Sequence, residues 1–176
     1  MADITHRGNP VHTSGKLPAV GSRAPDFRLT DAELKDVSLA DFKGKKKLLN
    51  IFPSIDTPTC AMSTRKFNEY AAQHANAVII MVSADLPFAQ KRFCAAENTS
   101  NVKTLSMMRD RSFAKDYGML LLDGLYQGIT ARAIVVIDEN DNIIESAHPF
   151  FDRASLEMKE EWPWAIAPRG EIDRYF

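Results

Sequence analysis

The segment Lys47-Leu-Leu-Asn-Ile-Phe52 limits the fold more than any other stretch of this chain. A short, almost continuously apolar run bounded by turn residues has the character of a strand buried on both faces in the middle of a sheet. Gly44 closes a turn before it, and the turn-rich stretch Pro53-Ser-Ile-Asp-Thr-Pro-Thr-Cys60 follows it. A helical pattern then runs through about His74, with Phe67, Tyr70 and Ala71 three and four apart on one face. Ala77–Ser83 reads as a second buried strand. Leu86–Glu97 reads as a helix with Pro87 in its first turn, containing Phe88, Lys91, Phe93 and Cys94. Ser112–Tyr117 is a short helix stopped by Gly118. Thr130–Asp138, the turn residues Glu139–Asn142 and Ile143–Ala147 make a hairpin. Upstream, Ile4–Thr13 reads as a small hairpin turning at Gly8-Asn9-Pro10, Gly15–Pro25 as a loop, and Asp26–Thr30 and Val37–Leu39 as short strands. Strand, helix, strand, helix and hairpin amount to a βαβ unit followed by an antiparallel pair. This is an α/β plan, a central mixed β-sheet flanked by helices, with an N-terminal β-hairpin extension.

A chain of 176 residues is the size of one domain, and residues 1–176 are read as such. With 45% hydrophobic and 26% charged residues it is globular in composition. A formal net charge of −1 provides no basic field for nucleic acid or anionic membrane. Lys45-Lys46-Lys47 is the one basic cluster and reads as a solvated strand entry. The opening MADITHRGNPVHTSGKLP lacks the apolar core of a secretory signal, and no apolar stretch approaches the roughly 18 residues of a membrane span. The expected compartment is a reducing cytoplasm. There, two cysteines are expected to be free, catalytic or redox-active rather than a static staple.

Cys60 stands at a strand-to-helix junction. A sulfur there faces unpaired backbone N–H groups and the positive end of the helix dipole, which favour thiolate over thiol. Thr57 can offer a hydroxyl to the sulfur or its substrate, and Pro53 and Pro58 stiffen the loop. The competing reading is a small buried cysteine in a helix first turn. Cys94, beside Phe93 and Phe88, reads in isolation as an inert thiol on a core-facing stripe. His6, His12, His74 and His148 show no ligand spacing, so no metal site is expected. Asp85 is expected to cap the helix begun by Pro87, and Ser83 to be structural. Asp138-Glu-Asn-Asp-Asn142 lacks the length and closing Glu of a calcium loop, and a hairpin turn accounts for it.

Read whole, Pro53-Ser-Ile-Asp-Thr57-Pro-Thr-Cys60 matches the active-site pattern of the peroxiredoxin family: Pro, three residues, Thr or Ser, two residues, Cys. The strings LLNIFPSIDTPTCAMSTRKFN, VIIMVSADLPFAQKRFC and TARAIVVIDENDNII closely resemble the thiol peroxidase branch of that family, over about residues 8–146. The resemblance implies a thioredoxin-like fold and a peroxidase that needs no metal or organic cofactor. It implies that Cys60 is the peroxidatic cysteine, that Thr57 hydrogen-bonds peroxide and sulfur, and that Pro53 shields the sulfur. Arg132, in Thr130-Ala-Arg-Ala, matches the arginine that stabilises the thiolate and polarises the peroxide. Cys94 matches the resolving cysteine. The two cysteines are 34 residues apart on different helices, and a disulfide needs Cα atoms within about 7 Å. Both helices are therefore expected to unwind locally after Cys60 is oxidised. Thioredoxin as reductant, a homodimer, and a leaning toward alkyl hydroperoxides are further implications. A peroxide-sensing switch using the same disulfide is the alternative.

From about His148 onward the resemblance ends. Asp152 could cap a helix to about Trp162, with Ala154, Met158 and Trp162 on one face and Pro163 as its stop. Residues 148–176 read as a divergent helix and tail, with Trp162, Trp164 and Phe176 as core, dimer contact or tail.

Overall fold

The computed structural model describes residues 1–6 and 9–147; the helix expected from Asp152 and everything else expected of 148–176 lie outside the described residues. In chain order the strands are β1 (Ala2–His6), β2 (Asn9–Thr13), β3 (Leu29–Thr30), β4 (Asp36–Val37), β5 (Lys46–Ile51), β6 (Ala77–Ser83), β7 (Lys103–Ser106), β8 (Ala133–Ile137) and β9 (Ile143–Ala147). The helices are α1 (Pro58–Ala71), α2 (Pro87–Glu97) and α3 (Ser112–Asp116), with a 3-10 turn at Leu39–Phe42. β1 and β2 form the expected N-terminal hairpin. Strands β3 to β9 form a mixed sheet in the order β4-β3-β7-β6-β5-β8-β9.

β5 lies inside this sheet, parallel to β6 on one side and antiparallel to β8 on the other. Every residue from Lys47 to Ile51 is buried, as an apolar run between two partners requires. Its side chains alternate between two layers. Leu48 and Phe52 point with Ile79, Met81, Ile134 and Val136 into the cluster under α1, which also holds Cys60, Phe67 and Tyr70. Leu49 and Ile51 point with Ile80, Val82, Val135 and Ile137 to the opposite face, packed by Phe113 and Ala114 of α3 and by Tyr117 just after it. A buried polar pin joins α1 to the sheet, where Asn50 Nδ2 donates to Ser63 Oγ at 3.3 Å.

Three features depart from the expectations. β7 arises from Lys103–Ser106, a four-residue segment too short to show a period, and pairs parallel to β6. The strand expected at Val37–Leu39 ends at Val37, and Leu39 instead begins the 3-10 turn. Lys47 is not solvated: its side chain is fully buried and its ammonium is paired with Asp141 in the β8–β9 turn. Lys47 begins the buried part of β5, directly opposite Ile137 of β8, so its stem runs beneath that turn. Burying the ammonium there requires the Asp141 carboxylate, because an unpaired buried charge costs several kcal/mol.

Asp141 has a left-handed backbone (φ 66°), a conformation Asn also tolerates. Asp141→Asn is expected to destabilise the protein by about 3 kcal/mol, with most of that loss recovered in Lys47→Met/Asp141→Asn. Urea unfolding of the two variants checks this.

Candidate active site

The geometry around Cys60 follows from the β5–β8 register. Ile51 faces Ala133 in that antiparallel pair, so the next residues outward, Phe52 and Arg132, lie abreast at the sheet's end. Thr130 secures this edge by donating its buried hydroxyl to the Phe52 carbonyl at 2.8 Å. Ile134 and Val136 point into the α1-side layer. By period two, Arg132 projects to the same side. There its Nη2 donates to Cys60 Sγ at 2.7 Å.

Cys60 is fully buried, three residues into α1. Thr57 is the N-cap, with extended backbone (φ −86°, ψ 141°), and Pro58 occupies the first helical position, where its missing N–H costs nothing. The Thr57 carbonyl accepts the first helical bond from Ala61 at 2.9 Å. The N–H groups of this first turn are the donors a helix leaves without intrahelical partners, so the sulfur sits at the positive end of α1. Burial lowers the affinity of the Arg132 guanidinium for its proton, an effect that the adjacent Cys60 opposes. A guanidinium stays charged in proteins, so a fixed positive group stands 2.7 Å from the Cys60 sulfur.

Pro53 and Thr57 are both half-buried in the loop between β5 and α1. The Thr57 hydroxyl donates to the Ser54 carbonyl at 3.1 Å. With its proton committed there, the Thr57 oxygen keeps its lone pairs for a donor brought by a ligand. Pro53, Thr57, Cys60 and Arg132 thus all stand at one end of the sheet.

Cys94 is a half-buried free thiol near the end of α2, and Cys60 is likewise free. α2 closes at Asn98 in the left-handed conformation (φ 54°), whose N–H bonds to the Cys94 carbonyl, as does that of Thr99 at 3.1 Å. The core-facing stripe expected around Cys94 is only partly present. Phe93 packs against the cluster that contains Cys60, but Phe88 is 62% exposed. The buried residues of α2 are Pro87 and Gln90. α1 and α2 are bridged by Arg65 and Glu97, in two bonds of 2.6 and 2.9 Å. Asn101, just beyond α2, donates its N–H to Asn68 at 2.7 Å.

Asp85 does not cap α2. The N-cap position belongs to Leu86, which makes no side-chain cap bond. Asp85 instead turns toward the β5–α1 loop, where Oδ1 accepts from Ser54 Oγ at 2.7 Å and Oδ2 from the Ile55 N–H at 2.6 Å. Sequence periodicity carries no signal for such a contact, because its partners lie some 30 residues away. Among the described residues, no three His, Cys, Asp or Glu side chains converge into a set that could hold a metal ion. No described helix is long and apolar enough to cross a membrane.

Comparison with known proteins bears directly on this arrangement. Residues 19–158 match the Redoxin family. Thiol peroxidases from Mycobacterium bovis and Mycobacterium tuberculosis are each 56% identical to the chain over 143 residues, covering 81% of it and 86% of the relative. The crystal structure of a peroxiredoxin-like protein from Aquifex aeolicus superposes with a TM-score of 0.78 at 36% identity, over 83% of this chain and 85% of that one. A thiol peroxidase from Chromobacterium violaceum has the same fold, with a TM-score of 0.78 at 24% identity, over 88% of this chain and 93% of that one. The chain belongs to the Redoxin family and, within it, to the thiol peroxidase branch of the peroxiredoxins.

Proposed function

We infer that the protein is a thiol-dependent peroxidase in which Cys60 reduces hydroperoxides and Cys94 resolves the oxidised product. The observation that carries this reading is the Arg132 guanidinium 2.7 Å from the buried Cys60 sulfur at the start of α1. That pairing sets a fixed positive charge beside the sulfur, and a thiolate is the form of cysteine that attacks an O–O bond.

The steps balance as follows. The Cys60 thiolate attacks one oxygen of ROOH, an S–O bond forms, the O–O bond breaks, and RO⁻ leaves and takes up a proton as ROH. Sulfur loses two electrons and becomes a sulfenic acid. Thr57, its own proton held by Ser54, accepts the peroxide O–H and aligns the O–O bond with the sulfur. Arg132 stabilises the charge that develops on the departing oxygen. Pro53 shields the sulfur from water. Cys94 thiolate then attacks the sulfenic sulfur and expels hydroxide, forming the Cys60–Cys94 disulfide.

Disulfide formation requires local unwinding, because Cys60 is buried in α1 and Cys94 sits in a separate helix. The last turn of α2 and the first turn of α1 are the segments that give way, the former by releasing the bonds that the Cys94 carbonyl accepts from Asn98 and Thr99. The Arg65–Glu97 bridge reaches into the turn that opens, while Ser63, bonded to Asn50 of β5, holds the body of α1 to the sheet. A dithiol donor of the thioredoxin type restores both thiols by exchange. Alkyl hydroperoxides as substrates, a homodimer as the working assembly and a reducing cytoplasm as the compartment complete the proposal. The switch alternative is not favoured, since the relatives at 56% identity bear the name of an enzyme.

Peroxide consumption is expected to be abolished in Cys60→Ser. It is expected to persist in Cys94→Ser with dithiothreitol but to fail with a thioredoxin system. Full activity in Cys60→Ser would refute the assignment. Arg132→Lys keeps a positive charge but loses the planar fork, and is expected to slow reaction with peroxide on the order of 10²-fold in stopped-flow measurements.

A further inference from the structure

We propose that Asp85 is a positioning residue of the peroxidase site, holding the β5–α1 loop in the geometry that presents Thr57 and Cys60 to peroxide. The proposal rests on the peroxidase reading above.

The Asp85 carboxylate receives three donors: Ser54 Oγ at 2.7 Å, the Ile55 N–H at 2.6 Å and Ser83 Oγ at 2.7 Å. An ionised carboxylate is acceptor-only and suits three donors at once, and its charge shortens such bonds. The Ile55 N–H can only donate and shares Oδ2 with Ser83, so a neutral amide in place of the carboxylate would have to turn its own donor toward Ser54.

On the side away from the loop, Asp85 is fixed to the sheet. Ser83 is the buried last residue of β6 and receives Gln90 Nε2 of α2 at 3.0 Å. Gln90, also buried, donates in addition to the Leu105 carbonyl of β7 at 3.1 Å. The Asp85 carbonyl accepts from Ser106 Oγ at the end of β7. The carboxylate is therefore anchored to the ends of β6 and β7 before it reaches the loop.

On the loop side the hold passes toward the reacting sulfur. Ser54, gripped through its hydroxyl, offers its carbonyl to both the Thr57 N–H at 3.2 Å and the Thr57 hydroxyl at 3.1 Å. Its Oγ also accepts the Asp56 N–H at 3.2 Å. Ile55, gripped through its N–H, is fully buried in the same cluster as Cys60. One carboxylate thus sets both the direction of the Thr57 hydroxyl and the seating of the loop that leads into α1. Gln90 lies one helical turn before Cys94, so the same network reaches the helix of the second thiol.

Asp85→Asn and Ser54→Ala test the proposal, with three readouts: steady-state kinetics on cumene hydroperoxide with saturating reductant, hydrogen exchange at the Ile55 and Thr57 amides, and thermal unfolding. Asp85→Asn is expected to lower kcat/KM for the peroxide about 10- to 100-fold, mainly through KM, since misplacing a reacting group by about 1 Å costs on this order. Ser54→Ala is expected to lower it about tenfold, with faster exchange at Thr57 in both variants and at Ile55 in Asp85→Asn. A merely structural residue would leave kcat/KM of the folded variant unchanged. Values of kcat/KM within twofold of wild type in both folded variants would overturn the proposal. If Asp85→Asn does not fold, Ser54→Ala decides alone by the same twofold criterion. Wild-type protein without Cys60-dependent turnover would refute the peroxidase reading and the positioning role with it; unchanged exchange at Ile55 in folded Asp85→Asn would overturn the positioning role alone.

Discussion

The Arg132 guanidinium and the fully buried Cys60 sulfur meet 2.7 Å apart, and each suits its place only with the other beside it. A lone buried charge costs several kcal/mol, and a lone buried thiol tends to stay protonated and inert. Together, Arg132 sets a fixed positive charge against the Cys60 sulfur. The β5–β8 pairing sets Arg132 at the sheet's end on the α1 side. Cys60 lies in the first turn of α1, at the positive end of the helix. The loop between strand and helix is tied at Ser54 and Ile55, leaving Thr57 with free lone pairs.

The same structure separates what must stay still from what must move. On the roles proposed for Cys60 and Cys94, attack on peroxide needs fixed geometry, while disulfide formation needs two helices to open. The fold divides these demands along the helices. The buried polar pin from Asn50 to Ser63 and the Arg65–Glu97 bridge hold the body of α1. Cys60 lies ahead of both, in the first turn of α1, and Cys94 lies in the last turn of α2.

Much of this was legible in the residues. The runs Lys47–Phe52 and Ala77–Ser83 announced interior strands because burial on both faces demands apolar side chains at nearly every position. Arg132 was legible only through the peroxiredoxin resemblance. Its strand showed clearly, but its face depends on which residue it pairs with across β5. β7 was hidden because four residues carry no period, and its place comes from β6 on one side and β3 on the other. Lys47 and Asp85 mislead for a shared reason. Charge is read locally as solvation or capping, whereas their partners, Asp141 and the Ser54–Ile55 loop, come from distant parts of the chain.

The central claim is that oxidising equivalents enter at Cys60 and pass to Cys94. Mass spectrometry of Cys94→Ser treated with one equivalent of hydroperoxide and a sulfenic-acid trap tests it most directly. A single trapped oxidation is expected, at Cys60, and in wild-type protein treated the same way a Cys60–Cys94 cross-linked peptide in its place. Oxidation of wild-type protein that leaves Cys60 as a free thiol, with Cys94 modified instead, would contradict it.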